Sequence, residues 1–159
     1  MKRLLLIPFL LVSVAGSATT AGAAGAKKFL CSGEVVLTSE SNFHQRTAGH
    51  LIFQDFDFTG THTLCLADET KVTAEIAGHL FQRIGPGSDL GLRFDEVLSY
   101  ADATLGFRGE ASLRGANWES HVQSVGRGTG FLSGLNAQGS FYLTDDPNVL
   151  TDLLTYIYH

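Results

Sequence analysis

Beyond residue 26 the apolar side chains recur at every second position, in short runs broken by glycine and small polar clusters. Period-two alternation predicts half-buried strands, and the clusters predict the turns between them. Leu30 to Thr38 is the first strand. Ala48 to Phe58 is the second, but its apolar positions move from Leu51 and Phe53 to Phe56 and Phe58, so a bulge near Gln54 is needed to hold them on one face. His62, Leu64 and Leu66 alternate with polar neighbours and Cys65. Val72, Ala74, Ile76, Gly78 and Leu80 follow a turn at Asp68-Glu69. Gly85-Pro86-Gly87-Ser88 is the strongest turn signal in the chain. After it, Leu90 to Tyr100 and Leu105 to Leu113 alternate cleanly around a turn at Ala101-Asp102, and Trp118 to Val125 and Gln138 to Leu143 supply two more strands. Eight short strands joined by brief turns predict an all-β domain, an antiparallel barrel or sandwich, of which an eight-stranded antiparallel barrel of the calycin-like kind is the expected form.

The end of the chain departs from this pattern. Asp145-Asp146-Pro147 reads as an acidic cap with proline in the first turn. Val149, Leu150, Leu153, Leu154 and Ile157 then recur at helical spacing. A short C-terminal helix covering the barrel is therefore expected.

The other end reads as a leader. Lys2 and Arg3 precede the apolar run Leu4 to Val14, which is too short to span a bilayer, and two A-x-A patterns follow, Ala21-Gly22-Ala23 and Ala24-Gly25-Ala26. Residues 1–26 are expected to be a secretory signal peptide and 27–159 a single barrel domain, secreted to a periplasm or outside the cell. No stable membrane anchor is expected. Lys27-Lys28-Phe29-Leu30 ahead of Cys31 is the wrong context for a lipid-bearing cysteine. Without the leader, nine basic residues face sixteen acidic ones. That balance argues against nucleic acid as a partner, because phosphate binding needs a basic surface.

Cys31 and Cys65 are the two cysteines of the chain. In an oxidising compartment they are expected to form one disulfide, closing a loop of about 34 residues. The six histidines, at 44, 50, 62, 79, 121 and 159, lack the close pairing of a barrel metal site, so no metal and no cofactor is expected. No nucleophile elbow or phosphate-binding loop occurs.

Glu96 is the candidate catalytic residue. It falls among Leu92, Phe94, Leu98 and Tyr100 on the apolar face of its strand, where a carboxylate must be paired or protonated. There it could serve as a general acid or base, or orient the polar end of a ligand; placement at the barrel rim is the plainer alternative. Phe94, Tyr100, Phe107 and Trp118 are the candidate ligand-binding residues, and core packing explains the tryptophan equally well.

The run Gly126-Arg127-Gly128-Thr129-Gly130-Phe131-Leu132-Ser133-Gly134, followed by Gln138-Gly139-Ser140-Phe141-Tyr142-Leu143, resembles the glycine-rich turn and closing strand of the allene oxide cyclase and dirigent barrels. About forty residues carry the resemblance, with Leu105-Gly106-Phe107-Arg108-Gly109 ahead of them, and no catalytic motif comes with it. It implies an eight-stranded barrel with an apolar cavity, often trimeric. The expected function is then binding of a small hydrophobic molecule in that cavity. The alternatives are an allene oxide cyclase-like isomerase or cyclase, and a barrel filled by its own Phe53, Phe56, Phe94, Phe107 and Phe141, with a structural or interaction role.

Overall fold

Eight strands follow one another around a closed barrel, each antiparallel to the next, with the last paired to the first. The computed structural model describes residues 25–159, so the predicted leader falls outside the described residues except for its last two. The strands are β1 (Lys27–Ala48), β2 (Leu51–Cys65), β3 (Lys71–Ile84), β4 (Leu90–Tyr100), β5 (Ala103–Arg114), β6 (Asn117–Val125), β7 (Leu135–Leu143) and β8 (Val149–Tyr158).

The count of eight agrees with the sequence reading, but two of its members differ. The runs read as separate second and third strands form one strand, β2, which pairs with β3 in unbroken register from Ile52 to Cys65. No bulge occurs at Gln54. The register shifts lie on β1, between Leu37 and Ser39 and between Ser41 and His44, opposite Gly60–Thr59 and Asp57–Asp55 of β2. Phe56 and Phe58 therefore face the core, while Phe53 lies on the opposite face beside Phe81, under the Arg46 guanidinium 4.6 Å from its ring.

The expected C-terminal helix is instead β8. It pairs with β1 from Lys27–Tyr158 to Val36–Val149 and with β7 from Leu135–Tyr158 to Leu143–Leu150. Ladders on both flanks outweigh a helical spacing that half a dozen leucines and branched residues can satisfy by chance. Asp152, Leu154 and Tyr156 are buried, while Leu153 is exposed. Asp145 to Asn148 form a turn, not a cap: Asn148 N donates to Asp146 Oδ1 and Val149 N to Asp146 O.

One end of the barrel is closed. The Cys31–Cys65 disulfide ties the start of β1 to the end of β2 there. The glycine-rich segment between β6 and β7 folds beneath the same end, with positive φ at Gly126, Gly130 and Gly134, and inserts Leu132, which is fully buried in the core. Thr129 holds the segment in place by backbone and hydroxyl hydrogen bonds to Thr104.

Inward-facing glycines make room for the aromatic core. Gly109 sits directly across from Phe94, and a Cβ there would collide with that ring. Gly78 sits across from Phe58, whose Cζ would lie 2.6 Å from an added Cβ. Each phenylalanine thus lies over its neighbour's bare backbone, which lets several rings share a narrow barrel. The outward face carries Asp57 with His79 and Asp95 with Arg108.

Candidate functional site

The inward faces of three strands each contain one acidic or basic residue. β2 contributes His62 between Gly60 and Leu64, β4 contributes Glu96 between Phe94 and Leu98, and β8 contributes Asp152 between Leu150 and Leu154. The three meet inside the barrel. His62 Nδ1 lies 3.1 Å from Glu96 Oε1, and His62 Nε2 lies 2.7 Å from Asp152 Oδ2. Their exposures are 2%, 4% and 5%. The second Asp152 oxygen, Oδ1, accepts the backbone N–H of Gly33 at 2.8 Å. Glycine is required at 33, because a Cβ would collide with the Thr63 backbone carbonyl and also stand 2.7 Å from that oxygen. Phe107 packs against the imidazole at 5.6 Å between ring centres.

Burial by itself would push the His62 imidazole down, since a charged ring loses its hydration. Hydrogen bonds and charges from Asp152 and Glu96 outweigh that and raise it to about 9. His62 is thus an imidazolium at neutral pH, clamped between two carboxyl groups. The folded barrel keeps this proton up to about pH 9, whereas the unfolded chain releases it near 6.5. Its stabilising contribution is therefore complete below about pH 6.5 and is lost as the pH rises through 9. Denaturant unfolding across that range should show stability falling by about 3 kcal/mol. His62→Phe should flatten the slope, and an equally steep slope in that variant would show that other groups cause it.

A recess opens above the cluster, toward the end of the barrel where β7 turns into β8. Its walls are Val35, Leu37, Phe58, Leu80, Phe94, Val122, Phe141 and Leu150, and its floor is His62, Glu96 and Asp152. Its free volume is about 20 Å³, room for about one water. A larger groove of about 590 Å³ crosses the outside of β3 to β6, past Arg83, Arg93, Glu110 and Glu119. It is open to solvent and carries both signs of charge, so the buried cluster is the more specific chemistry.

Of the residues expected from sequence, Glu96 is in the cluster and Phe94 is in the recess wall. Phe107 touches His62 from outside the recess. Trp118 stands behind the wall, edge-on to Phe141 at 5.8 Å, with its Nε1 donating to the Phe141 carbonyl. Tyr100 is not brought to the site. It is half-buried and packs edge-on to Phe131, beside the glycine-rich segment. His62 was visible in the sequence as one of several histidines, and Asp152 was hidden by the helix reading. The signal that could have exposed Asp152 is the alternation Leu150, Asp152, Leu154, Tyr156 among Thr151 and Thr155.

Among the described residues no group of three or more histidine, cysteine or acidic side chains is arranged to hold a metal ion. In the buried cluster the reason is plain: the imidazole lies between the two carboxyl groups and uses both its nitrogens on them. Tyr156 Oη is the one buried side-chain nitrogen or oxygen among the described residues without a hydrogen-bond partner. Burial first, then the nearby Asp152, pushes its phenol well above the usual range.

No known protein family pattern matches the chain, and no curated protein matches it. Among solved structures, the chain is similar to a protein of unknown function from the DUF3224 family of Shewanella oneidensis. The TM-score is 0.64 at 14% sequence identity, covering 84% of this chain and 98% of that one. At that identity the likeness establishes a shared fold.

Proposed function

We propose that the barrel binds a small hydrophobic molecule in the recess above the His62, Glu96 and Asp152 cluster. The observation that carries this reading is the convergence of three buried ionisable side chains on one apolar recess. A barrel gains little stability from such a cluster, since well-packed apolar residues hold a core as well or better, whereas a polar floor under apolar walls is the usual make-up of a ligand site. Kinship with the allene oxide cyclase and dirigent barrels is part of the proposal, supported by the segment from Gly126 to Leu143 and by a closed eight-stranded barrel. The protein works outside the cytoplasm on this reading. The leader-like first residues and the Cys31–Cys65 bond support that.

The small size of the recess favours a second reading, in which the barrel is filled and the cluster only cross-links β2, β4 and β8. Native mass spectrometry of protein secreted by its own leader, with organic extraction of whatever co-purifies, separates the two. A co-purifying apolar compound, or movement of the Leu37, Phe58, Phe94 and Leu150 amide signals under xenon, is expected for a binding barrel. No extract and unmoved amides would leave the filled barrel as the answer.

A further inference from the structure

The hydrogen bonds of the cluster leave one atom unused. His62 spends both nitrogens on carboxylates, and Asp152 spends both oxygens, on His62 and on Gly33. Glu96 Oε1 faces His62 Nδ1, and no protein donor among the described residues reaches Glu96 Oε2, which is open to the recess and so, unlike Tyr156 Oη, not sealed in the core. The eight wall residues of the recess carry no polar side-chain atom. Whatever enters therefore meets a single available oxygen, and a carboxylate oxygen accepts hydrogen bonds without offering any.

The charge points the same way. Two carboxyl groups share one imidazole, so the cluster has one acidic group more than it has basic ones, in a part of the barrel lined otherwise by leucine, valine and phenylalanine. No lysine or arginine lines the recess. An unbalanced carboxylate in such surroundings is held most favourably by a cation that also donates a hydrogen bond.

We infer that the recess selects apolar amines: the protonated amino group seats against Glu96 Oε2, and the hydrocarbon tail lies along Leu37 and Leu150 at the opening. The inference rests on the recess being a ligand site. Room for about one water accepts an ammonium head, and the half-buried Leu37 and Leu150 leave the tail a way out. A fatty acid or other apolar carboxylate would bring like charge to the same oxygen and is rejected.

The test is a titration of the native protein at pH 7 with three compounds of equal chain length, n-butylamine, n-butanol and butyrate, followed by amide chemical shifts. Butylammonium should bind at least about tenfold more tightly than butanol, with shifts centred on Glu96, His62 and Asp152, and butyrate should not bind. In Glu96→Gln the amine should lose about tenfold while butanol changes little. Butanol or butyrate binding in the recess as tightly as the amine would overturn the head-group assignment and leave the recess as a site. Amine shifts confined to the acidic outer surface would overturn it as well. Binding by none of the three, with recess amides unmoved, would bring down the ligand site itself.

Discussion

Replacing Asp152 by alanine is expected to destabilise the barrel by about 3 to 5 kcal/mol, the range for breaking a buried ion pair from one side. Asp152 links His62 Nε2 and the Gly33 N–H, and both donors lose their acceptor together. The remaining imidazolium would have Glu96 alone, and a water entering from the recess would replace only one of the two lost acceptors. Denaturant midpoints at pH 6 measure the loss, because His62 carries its proton there in folded and unfolded chains alike for the most part. Replacing all three cluster residues with leucine or phenylalanine of suitable volume should cost far less than the single change, and could leave the barrel more stable. A single change costing under about 1 kcal/mol would mean that the three groups are not coupled as their distances indicate.

Removing the disulfide should come next in size. Changing Cys31 and Cys65 together to alanine opens a loop of 34 residues and should cost roughly 3 to 4 kcal/mol through the freedom returned to the unfolded chain. Alanine is the right replacement because both positions are buried, and serine would add two hydroxyls in need of partners. Reduction of the native protein should lower the denaturant midpoint in the same direction. If the double variant unfolds within about 1 kcal/mol of the native protein, the pairing of β1 with β8 and of β2 with β3 already holds that end, and the bond adds little to it.

The fold could be read from sequence wherever one strand face meets the core and the other meets water. β4 and β5 show this best: Leu92, Phe94, Glu96 and Leu98, then Leu105, Phe107 and Ala111, face inward as their alternation indicates. The pattern fails where a strand carries apolar residues on both faces. In β2 the apolar residues of the distal half serve the outer face, where Phe53 meets Phe81, so a single-face reading invents a bulge. In β8 apolar residues lie on both faces, and two consecutive leucines, Leu153 and Leu154, look helical although only Leu154 is buried. The site suffered from the same error. Glu96 stands out because a carboxylate among leucines is costly, but its partner His62 lies 34 positions away on another strand, and the second acid of the cluster, Asp152, lies on the strand whose spacing looks helical. Spacing along one strand cannot reveal which of six histidines a closing strand will bring between two acids.

Closure through β1 and β8 also sets an order of events in assembly. The first and last described strands are neighbours, so the contacts that seal the barrel join residues more than a hundred positions apart, and such contacts form late and slowly. A chain emerging amino end first can build β1 to β7 as an open curved sheet, with β1 and β7 as bare edges and His62 holding Glu96 alone. Only when residues 149 to 158 arrive does Asp152 reach the imidazole, in the same movement that covers both edges. Completion of the buried charge cluster and removal of the last sticky edge are thus one step, and a chain interrupted just short of it would be left with both an exposed sheet edge and an unfinished ionic core.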